Sequence, residues 1–289
     1  MNPKICIVGS ANIDQISYVD TIPSDGETVF GDSYQMGFGG KGANQAVMAG
    51  LLGADVYMIA CLGTDVYNKM TVDNLNNNNV NMDFIQTVNG SSGVAPIWVD
   101  KTGQNRIIVI PGANNLIDAD IAIDSLSNIG PLDVVVGQFE IPLEVNEKVF
   151  EYAKNNGVQT VLNPAPAGDV SEKLLNNTSW FIPNEVEFEE MLGEPFNENA
   201  LLKHSKETKP EIIVTLGEKG CAEVSDGKVY IHQAKKVTAI DTTGAGDAFV
   251  GSFAYGLASK MSKQDSIQLA LEKATNSVTK KGTQSSYKD

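Results

Sequence analysis

Asp247 ends a glycine-rich segment, Asp241-Thr-Thr-Gly-Ala-Gly-Asp247, that runs directly into an apolar stretch. Apolar residues recur in this stretch at the spacing of one helix face, at Phe249, Val250, Phe253, Ala254 and Leu257. The glycines therefore lie just before a predicted helix, where unpaired backbone N–H groups and the positive end of the helix dipole can hold a phosphate. This pattern predicts an anion-binding site at Gly244, Ala245 and Gly246, with the Asp247 carboxylate beside it.

The carboxylate of Asp247 has two interpretations. A bound phosphate repels a neighbouring anion, so a carboxylate there makes most sense if it accepts the proton of a hydroxyl group that attacks the phosphorus. The helix N-terminus is expected to lower the pKa of Asp247, which phosphoryl transfer tolerates because positioning matters more than base strength. The other interpretation is that Asp247 caps the helix and the glycines only form a turn. The segment alone leaves both open.

A second glycine-rich segment, Gly37-Phe-Gly-Gly-Lys-Gly-Ala-Asn-Gln45, also precedes a helix-forming stretch. It contains Gly-x-Gly-x-x-Gly, but no buried strand precedes it, so a dinucleotide fingerprint is not favoured, and the Gly-Lys-Ser/Thr of a P-loop is missing. Its glycine amides, Lys41 and Asn44 can instead donate hydrogen bonds to a polyol. Asn12 and Asp14, which follow the first strand, can hold vicinal hydroxyls, although an Asx turn explains them equally well.

Two further segments follow predicted strands. Asn184 and Glu187 open a helix rich in glutamate, so they either compensate the helix dipole or meet hydrated Mg²⁺ near the phosphates. The segment from Thr215 to Gly220 either wraps a nucleotide or forms a simple β-turn. The residues themselves leave both pairs of interpretations open.

Composition excludes several classes of partner. A formal net charge of -15 and a pI near 4.5 argue against binding to nucleic acid or to an anionic membrane through bulk electrostatics. No run approaches the roughly 18 apolar residues of a membrane helix. Three cysteines lie far apart with no metal-ligand spacing, which is typical of buried thiols in a reducing compartment. We therefore expect a soluble, cytoplasmic protein.

Short apolar runs alternate with helical stretches, which predicts βαβ units and a mostly parallel sheet in a single α/β domain over residues 1–289. Buried strands are expected at 5–8, 56–60, 134–136, 158–162, 180–182 and 212–216, a strand-like run at 237–240, and helices at 42–53, 143–155 and 186–192. Residues 16–35 and 92–110 alternate apolar and polar positions with turn residues between them. They predict antiparallel strands apart from the main sheet, forming a lid from about 12–40 and 91–110.

Two motifs together, Gly39-Gly-Lys-Gly-Ala-Asn-Gln-Ala46 and Asp241-Thr-Thr-Gly-Ala-Gly-Asp-Ala-Phe249, resemble those of the ribokinase-like carbohydrate kinase family, and the likeness extends from Ile5 to Ser286. The resemblance implies a central, mostly parallel sheet sandwiched by helices and a small antiparallel β lid that also forms a homodimer contact. It further implies transfer of the γ-phosphate of ATP to the 5-hydroxyl of D-ribose. Asp247 would be the base, the amides of 244–246 an anion hole, and the sugar contacts would be Asn12, Asp14, Gly40, Lys41, Asn44, Glu140 and Asp247.

The resemblance also implies nucleotide and cation sites. It places nucleotide contacts at Asn184, Thr215, Gly217, Gly220 and Gly246, and it lets Glu187 act on Mg²⁺ through water. An activating monovalent cation, usually K⁺, would lie beside the anion hole, near Asp241, Thr243, Ser277, Lys280, Gly282 and Ser286. A cation there would offset phosphate charge that an acidic chain does not neutralise globally.

Some positions depart from the family pattern. Leu271 stands where the family often has an asparagine near the adenine, and Phe139 where a smaller aliphatic residue is common. Because the sequence stops at Asp289, we expect the family's last helix to be short or absent. Two other functions therefore stay open: a kinase for another small sugar or a nucleoside, and a sugar-sensing protein that lost turnover. The intact Gly244, Gly246 and Asp247 argue against the sensor.

Overall fold

Thirteen strands and nine helices form along residues 2–288, which this computed structural model describes. The strands are β1 Lys4–Val8, β2 Asn12–Val19, β3 Gly31–Gly39, β4 Asp55–Gly63, β5 Val80–Val88, β6 Gly93–Val99, β7 Asn105–Ile107, β8 Val134–Gln138, β9 Gln159–Asn163, β10 Trp180–Phe181, β11 Glu211–Thr215, β12 Cys221–Ser225 and β13 Lys228–His232. The helices are α1 Lys41–Leu51, α2 Val66–Asn77, α3 Ala119–Ile129, α4 Leu143–Asn155, α5 Glu172–Asn177, α6 Glu185–Leu192, α7 Glu198–Glu207, α8 Ala245–Ala258 and α9 Lys263–Ser277. Short 3₁₀ helices form at Gly112–Leu116, Gly217–Lys219 and Gln284–Tyr287.

Nine strands form the main sheet in the order β13-β12-β11-β10-β9-β8-β1-β4-β5. All neighbours from β11 to β5 run parallel, and only β12 and β13, at one edge, are antiparallel. The central strands β1 and β8 are almost continuous apolar runs because helices cover both faces of a parallel sheet. The predicted mostly parallel α/β fold is confirmed.

Helices cover the main sheet on both faces, and the side chains of β1 alternate between the two resulting cores. Ile5 and Ile7 join the core beneath α1, α8 and α9, whereas Cys6 and Val8 join the core beneath α3, α4 and α6. Leu271 is buried in the first of these cores. The predicted sandwich of helices around the sheet is confirmed.

A separate four-stranded sheet, in the order β3-β2-β6-β7, stands beside the carboxyl ends of the main strands; we call it the small sheet. The pairs β2–β3 and β6–β7 are antiparallel, as expected. The strands β2 and β6 pair in parallel, because the chain between them crosses the main body through α1, β4, α2 and β5.

The prediction of a strand at 237–240 is wrong. Residues 233–239 form no regular element, and Val237 and Ile240 are exposed. Ile240 N donates at 2.7 Å to the carbonyl oxygen of Val278, the C-cap residue of α9, so this run pairs with a helix end and not with a strand. Within residues 2–288, no helix combines the length and the apolar character needed to cross a bilayer. The three cysteines are buried and free, as expected.

Candidate active site

Helices α1 and α8 pack against each other, and this contact builds the centre of the site. Both helices begin after a glycine N-cap, Gly40 for α1 and Gly244 for α8. Their first turns therefore face the same region of the structure. Asn44 on α1 donates from Nδ2 to Asp247 Oδ2 on α8 at 2.8 Å, and Gln45 donates from Nε2 to Oδ1 at 3.0 Å.

The helix-cap interpretation of Asp247 is wrong. Gly244 is the N-cap residue, with a φ of 75°, a value that suits glycine, and Asp247 lies in the first turn. Its carboxylate accepts from the side chains of Asn44 and Gln45, and no side-chain capping bond forms at this helix. Asp247 is thus turned toward α1, beside the amides of the α8 N-terminus.

The expected lowering of the Asp247 pKa is also wrong, because the side chain is only 7% exposed. Burial raises the pKa of Asp247, and the Lys41 charge and the hydrogen bonds from Asn44 and Gln45 oppose that rise. The helix terminus was visible in the sequence, whereas the depth of burial was not. A raised pKa makes the carboxylate a stronger base than predicted.

Lys41 is a cation close to three carboxyl groups, those of Asp247, Glu140 and Glu187. Burial lowers the pKa of its ammonium group, but the charges of Asp247, Glu140 and Glu187 outweigh burial and raise it, so Lys41 stays protonated. Burial, and then the charges of Glu140 and Asp247, raise the pKa of Asp14 to about 6. Lys41 therefore partly offsets a concentration of negative charge that would otherwise repel a phosphate.

The residues predicted to hold a polyol come together beside Lys41. Asn12 and Asp14 lie inside the extended strand β2, so the Asx-turn interpretation is wrong. Asn12 is buried and accepts at Oδ1 from Asn114 Nδ2 at 2.7 Å. Glu140 Oε2 accepts from Lys41 N at 2.9 Å, which ties the end of the main strand β8 to the first turn of α1.

Several amide side chains of the site were not predicted. Asn114 accepts from Ala11 N at 3.0 Å, and Gln284 donates to Asn44 Oδ1 at 3.0 Å while accepting from Asn74 Nδ2 at 2.7 Å. These partners are more than 100 residues apart in sequence, so no local spacing reveals them. Gln45 is different, since it belongs to the glycine-rich segment and could have been included with Asn44.

The expected nucleotide residues lie at the ends of two adjacent strands. Asn184 and Glu187 form a reciprocal capping box, with Asn184 Oδ1 to Glu187 N and Glu187 Oε2 to Asn184 N both at 2.8 Å. The two residues therefore cap the N-terminus of α6. The charges of Lys41 and Asp247 also act on Glu187, so this carboxylate faces the site.

Thr215 lies next to Asn184, because an isolated β-bridge joins the two residues at the ends of β10 and β11. Gly217 and Gly220 flank the 3₁₀ helix that follows, and Leu216 N donates to Gly220 O at 2.8 Å. The structure thus places Asn184, Thr215, Gly217 and Gly220 in one neighbourhood and builds the predicted turn.

The residues expected near a monovalent cation form two joined segments. Asp241 accepts from Thr243 N at 3.0 Å and from Gly282 N at 2.9 Å. Lys280 N donates to Ser277 O at 3.2 Å, and Ser286 Oγ donates to Thr283 O at 2.7 Å. No group of three His, Cys, Asp or Glu side chains suited to a metal exists within residues 2–288. The oxygen ligands available to a cation here are backbone carbonyls, hydroxyls and the Asp241 carboxylate, which suit a hard ion.

A cavity of about 540 Å³ lies between the small sheet and the segment 281–285. Asp14, Met36 and Ile97 line it on one side, and Asp241 and Gln284 on the other. Its size falls in the range of small-molecule sites, roughly 300–1,000 Å³. The small sheet therefore forms one wall of a ligand-sized space.

The model of the pfkB family of carbohydrate kinases matches residues 2–289. The chain belongs to this family. It is 38% identical over 293 residues to a ribokinase of Haemophilus influenzae, covering 99% of this chain and 95% of the relative. It is 35% identical over 291 residues to a deoxyribokinase of Salmonella typhi, covering 98% and 95%.

Solved structures agree with this assignment. The ribokinase of Thermotoga maritima is 34% identical with a TM-score of 0.88, covering 98% of this chain and 95% of that one. The Arabidopsis thaliana ribokinase complexed with ribose and ATP is 30% identical with a TM-score of 0.89, covering 99% and 96%. The predicted family is confirmed, and the protein is an ATP-dependent carbohydrate kinase.

Proposed function

We propose that this kinase transfers the γ-phosphate of ATP to the 5-hydroxyl of D-ribose, giving D-ribose 5-phosphate and ADP. The observation that carries the proposal is the Asp247 carboxylate, held by Asn44 and Gln45 beside the N-terminus of α8. Relatives named ribokinase support the choice of ribose. A deoxyribokinase at similar identity makes 2-deoxyribose the second candidate.

In the proposed mechanism the sugar lies among Asn12, Asp14, Lys41 and Asn44, with its attacking hydroxyl at Asp247. As the oxygen bonds to phosphorus, its proton passes to the carboxylate and ADP leaves. The N–H groups at the start of α8, from Gly244 to Gly246, receive the charge that develops on the phosphoryl oxygens. Lys41 adds a fixed positive charge, and the small sheet acts as a lid that excludes water.

Two cations complete the proposal. Glu187 would hold Mg²⁺ through water, and the ion would neutralise charge on the transferred phosphate. K⁺ would sit among Asp241, Thr243, Ser277, Lys280, Gly282 and Ser286, mostly on backbone carbonyls, and would lower the negative charge near the anion hole. Asn184, Thr215, Gly217 and Gly220 would contact the nucleotide, with Gly246 at its phosphates. We also propose a cytoplasmic location, since the three buried thiols suit a reducing compartment.

A panel of pentoses, 2-deoxyribose, hexoses and nucleosides tests this function in a coupled ADP-release assay, with and without K⁺. We expect ribose to give the highest kcat/KM and K⁺ to increase it. A higher kcat/KM with 2-deoxyribose would make 2-deoxyribose the proposed substrate in place of ribose and leave the proposed mechanism unchanged. ADP release with none of the compounds would contradict the proposed function and favour a sugar-sensing protein.

A homodimer through the small sheet forms part of the same proposal. Its exposed apolar side chains include Tyr34, Met36 and Ile107, which is 48% exposed. We expect Ile107→Asp to shift a dimer toward monomer in sedimentation equilibrium, because a buried unpaired charge is costly at an apolar interface. Ile121→Asp, on α3 at 51% exposure, is the matched control and should leave the mass unchanged. Equal masses for wild type and Ile107→Asp would contradict this contact.

A further inference from the structure

Gln45 is a hydrogen-bond partner of Asp247 that has no exposed surface. Its side chain lies on α1 and is fully buried, with 0% exposure. Nε2 donates to Asp247 Oδ1 at 3.0 Å and to Asn163 Oδ1 at 3.1 Å, so both of its protons are used. Asn44, by contrast, is one of the expected sugar contacts. The direct link from Gln45 to the proposed base is therefore its hydrogen bond to Asp247.

The partners of Gln45 allow only one orientation of its amide. Asn163 donates from Nδ2 to Ile182 O at 3.0 Å, so its Oδ1 faces Gln45 as an acceptor. A carboxylate and an amide oxygen together require the NH₂ group of Gln45. Gln138 completes the arrangement by donating from Nε2 to Gln45 Oε1 at 2.8 Å. A turned amide would place its oxygen against two other oxygens.

The neighbours of Gln45 are themselves fixed. Gln138 is 0% exposed, and its backbone carbonyl accepts from Asn146 Nδ2 at 2.8 Å. The chain Gln138 to Gln45 to Asp247 thus joins the end of β8 to the first turns of α1 and α8. Each amide donates to the next group, and the chain ends on a carboxylate, which only accepts. Every polar side-chain atom of Gln45 is paired in this network, whereas Gln138 Oε1 and Asn146 Oδ1 have no hydrogen-bond partner within residues 2–288, so the network is held most firmly at Gln45 and Asp247.

We propose that Gln45 is a positioning residue for phosphoryl transfer: its fixed amide orients the Asp247 carboxylate and donates to Oδ1, so that the carboxylate meets the sugar hydroxyl ready to accept its proton. This inference rests on the proposed function, since it requires Asp247 to be the base. It adds a residue that does not contact the substrate.

The charged groups around Asp247 determine in which direction its pKa should move when the Gln45 donor is removed. Lys41, Glu140, Asp14, Glu187 and Tyr287 are the titratable groups whose charges couple to Asp247. Burial raises the pKa of Asp247, and the hydrogen bond from Gln45 is one of the interactions that oppose it. Removing that donor must raise the pKa further. Only the ionised carboxylate accepts a proton. As the pH is lowered, the variant should therefore lose activity at a higher pH than the wild type.

Gln45→Met tests this proposal, because methionine has a similar volume and no amide. We expect the midpoint of the acid limb of kcat/KM against pH to rise by about one unit, with kcat reduced and the ribose KM nearly unchanged. Gln138→Met, which removes the donor to Gln45 Oε1 and so loosens the hold on the Gln45 amide, should move the midpoint in the same direction by less. If Gln45→Met does not fold, Gln138→Met tests the proposal in its place.

Gln86→Met is the matched control. Gln86 also makes two hydrogen bonds through its amide, with Asp118 N at 2.7 Å and Asp118 O at 2.9 Å, but it lies on β5. Its pH profile should equal that of the wild type. An unmoved midpoint in both Gln45→Met and Gln138→Met would overturn the positioning role, even where overall activity falls. Normal turnover by Asp247→Asn would instead contradict the proposed base, so the two failures are distinct.

Discussion

Asp247→Asn is expected to lower kcat by about three orders of magnitude, the scale of general-base catalysis, while the affinity for ribose changes little. Asparagine keeps the volume of the side chain, but its amide does not take a proton from the attacking hydroxyl. Its NH₂ group would also face a donor, either Asn44 Nδ2 or Gln45 Nε2, because both carboxylate oxygens of Asp247 accept hydrogen bonds. Loss of chemistry with retained binding is therefore the expected signature.

The measurement combines single-turnover kinetics with ribose titration by calorimetry. Asp133→Asn is the control, since Asp133 also accepts two hydrogen bonds, from Lys4 N at 3.0 Å and Lys260 Nζ at 2.7 Å, but lies before β8, away from Asp247. It should keep the wild-type kcat. Turnover by Asp247→Asn near the wild-type rate would remove Asp247 from the chemistry. A large loss of ribose affinity would make it a binding residue first.

Much of the fold was predictable because single segments carry the information. The runs at Ile5–Val8 and Val134–Val136 are buried on both faces, so they are apolar throughout and indicate parallel strands. The two glycine-rich segments likewise indicated the starts of α1 and α8. Apolar character alone misled at 237–240, where Ile240 N donates to Val278 O at the end of α9 and the run joins no strand.

The candidate site was only partly predictable, because its polar contacts are long-range. Asn44 and Asp247 each stand in a recognisable segment, but their direct bond spans 203 residues. Gln284 reaches Asn44 across 240 residues, with no spacing rule to suggest it. The sign of the Asp247 pKa shift depends on burial, which only packing determines. Residue types could therefore be predicted, whereas hydrogen-bond partners and electrostatics required the fold.

Gly40→Ala is expected to produce the second large effect, on stability and sugar binding together. Gly40 has a φ of 87°, and an ideal Cβ on it would lie 2.7 Å from Ala11 Cα, 2.7 Å from Asn12 N and 2.9 Å from Ser10 O. All three are backbone atoms, which do not yield as a flexible side chain does. The chain at 10–12 must move, and Asn12 moves with it.

We expect Gly40→Ala to lose about 3 kcal/mol of unfolding free energy and to raise the ribose KM more than tenfold. Gly26→Ala separates backbone strain from close approach, since Gly26 has a similar φ of 77° but no atom within 4 Å of an added Cβ. That control should cost only about 1 kcal/mol and leave the KM unchanged. Thermal unfolding and ribose kinetics measure both variants. Equal losses in the two would mean that the contact between the first turn of α1 and Asn12 does not shape the sugar pocket.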